Sequence, residues 1–390
     1  MKQIENQMTG AAERDYRMDN LKCLLIFAVV FGHMLELFMG KNDSFKVIYL
    51  VIYSFHMPLF AFVSGVFARF SPEKIRNHLI YPYMVFQILY LLFANLVLEK
   101  EAEVQFTTPY WLLWYLFASI AWNLLLPLVQ GNGWTWKKKA VALSAAFLAG
   151  ILIGFDNKAG YYLSFSRIVE FFPYFLMGVY YREWEAQRKG ERPHRRAGRP
   201  AILVFLGILL CALIYVVTEN VDEIRYAWLY GSVSYDTGDY SWRFRLLSIG
   251  AALLWLVFFL AGIPIKRLPV LSHIGANTMS IYLLHGFLIK LMSKTRLFNE
   301  IEHDLFTGLL ISACLVLILS WRPLVRLLSP LLRWEGSRSF LRRSPDGGGK
   351  RGLPCAGSAR RMLETLVRHA AGRGSGRWGG GLRRRMDLKR

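Results

Sequence analysis

The chain has 390 residues, 54% of them hydrophobic and 19% charged, with 27 Phe, 19 Tyr, 12 Trp and a formal net charge of +21. So large an apolar mass with so few charges excludes an intrinsically disordered or fibrous chain and points to a membrane. The four cysteines, at 23, 211, 314 and 355, have no paired spacing, which argues against a disulfide scaffold or a zinc site; no metal is expected.

The first twenty residues carry Glu5, Glu13, Asp15 and Asp19 and show no cleavage site, so the first apolar run reads as a retained span. A hydrocarbon core of ~30 Å needs roughly 20 residues of helix. Runs of that kind fall near 21–39, 47–68, 78–97, 110–130, 139–155, 163–181, 200–218, 245–263, 271–292 and 304–322. Several contain Pro, at 58, 82, 127 and 173, which membrane helices tolerate because neighbours satisfy the freed carbonyls. The expected fold is an all-α polytopic membrane protein of about ten transmembrane helices. It divides into an N-terminal segment 1–20, a membrane domain 21–325 and a tail 326–390.

Loop charges suggest an orientation. Arg14 and Arg17, the group Arg69, Lys74 and Arg76, Lys137 to Lys139, and Lys266 and Arg267 lie on one side. So does 182–199, which has seven Lys or Arg against three Glu. Opposite them, 98–109 carries Glu99, Glu101 and Glu103, and 219–241 carries five acids with one Arg. The excess of basic residues on one side predicts both termini in the cytoplasm and a multi-pass protein of the inner (plasma) membrane. From Arg342 to Arg390 there are fourteen Lys or Arg against three acids, in a Gly- and Arg-rich run with little that could form a core. The tail reads as a solvated cytoplasmic extension and not as a nucleic-acid signature.

Charged and polar groups inside a bilayer are costly and mark functional sites. In the first span Lys22 stands at the inner end and His33 eleven residues on, about 16 Å along the axis. Glu36 lies three residues further, on nearly the same face as His33, where a carboxylate can fix the tautomer of the ring. His56 in the second span, Arg167 at the start of the sixth and His285 in the ninth fall at the same outer depth, with Glu170 one turn after Arg167. Each has a plain reading as well: an interfacial histidine bonded to a loop, or a snorkelling cation. The loop 221–242, with Asp236 and Trp242 among several Tyr and Asp, is a candidate outer-face contact for a sugar, or equally a solvated loop.

Five segments in order, DNLKCLLIFAVVFGH at 19–33, FHMPLFAFVSG at 55–65, WYLFASIAW at 114–122, SRIVEFFPYFLMGV at 166–179 and NTMSIYLLHGF at 277–287, resemble membrane-bound acyltransferase family 3. The resemblance is to its branch of fucose 4-O-acetylase-like and exopolysaccharide O-acetyltransferases, and it spans roughly residues 14 to 325. In the family an arginine usually stands ten intervening residues before the first-span histidine; here the spacing is kept but the position is Lys22, a departure that keeps the charge and loses the bidentate clamp of a guanidinium.

The resemblance implies O-acyl transfer, usually of acetyl from acetyl-CoA as substrate, to a hydroxyl of an envelope or exopolysaccharide sugar. No permanently bound cofactor is implied. The implied partners are a saccharide or lipid-linked glycan acceptor, membrane lipid and glycan export or synthesis machinery, with no nucleic acid. His33 would be the general base, Glu36 its orienting carboxylate, and Arg167 the cation facing the developing oxyanion. His56 and His285 would contact the acceptor, and Lys22 would attract the donor's phosphates. Direct transfer and an acyl-histidine relay are both compatible. A proton-coupled secondary transporter would use the same intramembrane groups as a relay, but the inverted repeat expected of one is not evident.

Overall fold

A hydrocarbon core offers no water to backbone amides, so each crossing segment must satisfy its own hydrogen bonds, and the chain does so with helices. The computed structural model describes residues 16–38, 43–100, 103, 105–131, 133–160, 162–188, 199–295 and 304–334, among which there is no strand. The helices are α1 (Tyr16–Leu35), α2 (Asp43–Phe67), α3 (Tyr81–Leu96), α4 (Trp114–Val129), α5 (Trp136–Leu152) and α6 (Phe165–Gln187). They continue as α7 (Arg199–Glu219), α8 (Trp242–Gly262), α9 (Pro269–Ala276), α10 (Thr278–Lys294), α11 (Leu305–Leu319) and α12 (Arg322–Leu332). A short helix, Pro72–Ile75, and one turn of π-helix, Arg76–Ile80, lead into α3.

Helix occupies every one of the ten expected spans. By length and composition seven segments among the described residues can cross a bilayer, or up to eight if α11 and α12, bent by 69° to one another, are counted as one broken span. The other two positions depart from a plain apolar span for visible reasons. Helix α6 carries Arg167, Glu170, Arg182, Glu183 and Glu185, and the α9–α10 segment is interrupted at Asn277, leaving α10 only 17 residues long. Both termini lie outside the described residues, as does 335–390 of the basic tail.

Two expected boundaries shift. Helix α1 starts at Tyr16, ahead of residue 21, because Asp19 and Asn20 are buried and not solvated. The Asn20 amide donates to the carbonyls of Pro264 (2.9 Å) and Lys266 (3.0 Å) and accepts from the Ser272 hydroxyl (2.8 Å). Helix α12 runs past residue 325, so the first part of the expected tail is ordered helix, with Leu332 buried.

Helix α1 is the centre of the bundle: fourteen of its 20 residues are buried. It packs against α2, α9, α10 and α11. Helix α7 is peripheral, with 11% of its apolar stretch buried and Ile202, Val204, Phe205 and Ile208 facing outward. Burial of apolar surface gives little drive between helices already in lipid, so close backbone packing carries more of the association. Helices α2 and α6 cross in close backbone contact. A Cβ on Gly65 would lie 1.9 Å from the Phe175 carbonyl oxygen, and one on Gly178 would lie 1.9 Å from that of Phe62.

This reciprocal contact makes a sharp prediction. Gly65→Ala or Gly178→Ala should force α2 and α6 apart and lower the stability of the detergent-solubilised protein by about 1–3 kcal/mol or more. Gly207→Ala on α7, where nothing lies within 4 Å of the new methyl, should leave the thermal midpoint unchanged or slightly raised.

Candidate functional site

The spacing of His33 and Glu36 at the end of α1 produces the expected pair. His33 Nδ1 lies 2.9 Å from Glu36 Oε1. That same carboxylate oxygen accepts from the Tyr53 hydroxyl at 2.9 Å and the Tyr49 hydroxyl at 3.2 Å, both from α2. Tyr49 also meets the Tyr230 hydroxyl at 2.8 Å. One phenol has one proton, so Tyr49 donates to Glu36 and receives from Tyr230. An ionised carboxylate only accepts, so His33 donates from Nδ1 and keeps the lone pair on Nε2. The side chain of His33 is 14% exposed and that of Glu36 24%, so the pair is sheltered but reachable.

His285, from α10, stacks on His33 with ring centroids 5.5 Å apart and planes at 28°. Its Nδ1 donates to the Ile281 carbonyl at 2.9 Å, which leaves a buried Nε2 with no hydrogen-bond partner. The ring is wholly buried. His56 is fixed similarly, its Nδ1 2.8 Å from the Ile52 carbonyl and its ring 4.5 Å from that of Tyr53. The three histidines therefore gather through α1, α2 and α10, as their depths suggest.

Trp111 closes the far side of the pair, 4.9 Å from the His33 ring, with Lys290 Nζ 4.2 Å from its own ring centroid. Its φ of +41° is unusual for so bulky a residue. Gly286 makes room for it: a Cβ there would lie 2.8 Å from the indole. Neither Trp111 nor Lys290 stands out in the sequence, since an interfacial Trp and a Lys near a helix end are ordinary features of membrane spans.

Arg167 is engaged with the loop that follows α7. It donates from Nε to the Tyr230 carbonyl at 3.0 Å and from Nη2 to the Ser232 hydroxyl at 3.1 Å, and it sits 5.0 Å from the Trp114 ring centroid. Tyr230 thus connects the arginine, through its backbone, to the carboxylate network, through its phenol. Glu170 faces elsewhere. It pairs at 3.0 Å with Arg245 of α8, whose guanidinium also donates to the Gly150 carbonyl at 3.1 Å and the Tyr240 hydroxyl at 2.7 Å. Arg245 is 2% exposed and ties α5, α6, α8 and the loop together. Breaking such a buried pair from one side leaves an uncompensated charge. Burial pushes the Tyr240 phenol up to about 12, so it stays protonated and donates to the Val233 carbonyl at 3.0 Å.

Asp236 and Trp242 lie on the exposed side of that loop. The Asp236 carboxylate accepts from the Asn157 amide at 3.0 Å, and Trp242 is 43% exposed. Among the described residues, neither makes a hydrogen bond or ring contact with the histidine cluster.

At the other end of α1, Lys22 pairs with Asp19 at 2.8 Å and lies 4.6 Å from the Phe67 ring centroid. It lines a cavity of about 410 Å³ whose polar lining also includes Arg69, Lys74 and His78, the last from the π-helical turn. The cavity extends inward to Val29, one turn before His33, and to Tyr282. The Tyr282 ring is 6.4 Å from that of His285, and its hydroxyl donates to the Leu112 carbonyl. A basic opening and the histidine cluster are thus separated by little more than one aromatic side chain.

Comparisons with known proteins identify the family. A family described as an acyltransferase domain (Acyl_transf_3) matches residues 15–325. A stretch of 62 residues is 45% identical to nodulation protein NolL of Sinorhizobium fredii, covering 15% of this chain and 17% of that protein. The alignment therefore spans less than a fifth of that relative's length. No solved structure matches the chain. With the family match running over most of its length and the helices of a polytopic membrane protein beneath it, the chain belongs to acyltransferase family 3.

Proposed function

We propose that the chain is an O-acyltransferase that moves an acyl group, acetyl from acetyl-CoA, to a hydroxyl of an envelope or exopolysaccharide sugar. The observation that carries the reading is the cavity between Lys22 and Tyr282, which opens among four basic side chains and ends beside the His33–His285 pair. A coenzyme A thioester has that shape of chemistry: phosphates for the basic opening and a narrow arm for the apolar interior. In the orientation expected from loop charges, donor enters from the cytoplasm and acceptor from the opposite face of the plasma membrane.

The chemistry asks for a base, a way to hold it, and donors for a developing negative charge. His33 Nε2 takes the proton of the attacking hydroxyl as its oxygen bonds to the thioester carbonyl carbon. The carbon–sulfur bond then breaks, and the same proton goes to the departing thiolate. Glu36 holds Nδ1–H throughout and stabilises the transient imidazolium. His285 Nε2, neutral and unpartnered, accepts a hydrogen bond from the acceptor sugar, with His56 behind Tyr53 shaping the same wall. Arg167 supplies positive charge toward the oxyanion through its place beside Trp114. Asp236 and Trp242 act at the entrance, as contacts for a glycan or lipid-linked glycan before it reaches the histidines.

Three outcomes follow. The host's purified surface glycans should lose one ester on deletion of the protein and on His33→Ala expressed at equal level; an ester pattern unchanged in all of them would sink the assignment to glycans. Glu36→Gln should lower turnover about 10²–10⁴-fold with little change in KM, because an amide cannot enforce the tautomer. For the donor, Lys22→Ala should raise the apparent KM for acetyl-CoA by roughly tenfold, and Lys22→Arg should recover most of it. An unchanged KM in Lys22→Ala would remove the basic opening from the donor site.

A further inference from the structure

Helix α12 has a design that acyl transfer does not require. Its eleven residues, RPLVRLLSPLL, follow a sharp bend of 69° after α11. At 100° per residue Arg322, Arg326 and Ser329 fall within an arc of about 60°, while Leu324, Leu328 and Leu331 fall opposite. Arg333 ends the helix. All three arginines are exposed, and among the described residues none has a carboxylate partner. Trp321 and Trp334 flank the helix at its two ends, 63% and 39% exposed, and Leu327 on its flank is 67% exposed.

The opposite face is anchored on the bundle. Leu328, Leu331 and Leu332 join the cluster that includes Leu79, Met279 and Tyr282. The Pro330 carbonyl accepts from the Tyr81 hydroxyl at 2.9 Å, and Trp334 packs on the Tyr81 ring at 5.2 Å. These contacts place α12 beside the π-helical turn, at the same end of the bundle as Lys22, Arg69 and Lys74.

We infer that α12 lies in the plane of the membrane surface and forms a binding site for anionic phospholipid headgroups, with Arg322, Arg326 and Arg333 as the phosphate ligands. A basic face, an apolar face and terminal tryptophans on one short helix are what the headgroup layer accommodates together. A soluble acidic protein would satisfy the arginines but leave Leu327 and Trp321 in water, whereas lipid takes both. Guanidinium forks match phosphate oxygens in geometry as well as charge. The site stands independently of the acyl-donor reading.

The test is hydrogen–deuterium exchange of the peptide covering 321–334 in the full chain, reconstituted in nanodiscs of phosphatidylcholine alone or with about one third phosphatidylglycerol. The wild type should exchange on the order of tenfold more slowly in the anionic discs, and Arg322→Gln/Arg326→Gln/Arg333→Gln should lose that difference. Equal exchange of the wild type in the two discs would overturn the site. So would a lipid-dependent slowing that survives in the triple variant, which would assign the effect to other basic residues.

Discussion

One oxygen of Glu36 holds the site together. It receives Nδ1–H of His33 from its own helix and two phenols from α2, and one of those phenols is itself held by Tyr230. In a medium with no water to substitute, a carboxylate so placed needs its donors, and each donor fixes the element that carries it. Helix α1 is thereby tied to α2 in rotation as well as position, and the loop after α7 is drawn over the same end. Arg167 adds a second hold on that loop through the Tyr230 carbonyl. The position of His33, its tautomer and the cover above it are consequences of one network.

The two ends of α1 divide the work of anchoring. At one end Asn20 bonds to three partners in 264–272. Gly275 there approaches the Asp19 backbone so closely that a Cβ would lie 1.8 Å from its carbonyl oxygen. At the other end the Glu36 network takes over. From Cys23 to Gly32 the helix is apolar on every side and packs as core. The Lys22–His33 separation is therefore fixed by a rigid rod and set by helical rise.

Much of this was legible from the residues themselves. Apolar runs of membrane length located the helices, and three-residue spacing put His33 and Glu36 on one face. What escaped has physical reasons. Tyr49 and Tyr53 carry no signal in an apolar, aromatic-rich run; only the fold aims their hydroxyls at Glu36. Arg245 lies in a different helix from Glu170, and nothing local to either residue announces the pairing. The break at Asn277 was hidden because NTMS is polar enough for an interruption yet sits in a run that remains apolar on average. Past residue 325, α12 merges with the tail in a hydropathy reading because its arginines lower the average, although their placement on one face gives it the pattern of an amphipathic helix.

Trp111 holds a backbone angle that disfavours large side chains, a cost of about 1–3 kcal/mol. The ring it places there touches His33 on one side and the Lys290 ammonium on the other. Glycine or asparagine at this position would relax the chain and remove the wall. Backbone ease and the wall beside His33 are therefore opposed at a single residue, and relaxing the first would dismantle the second while leaving the bundle intact.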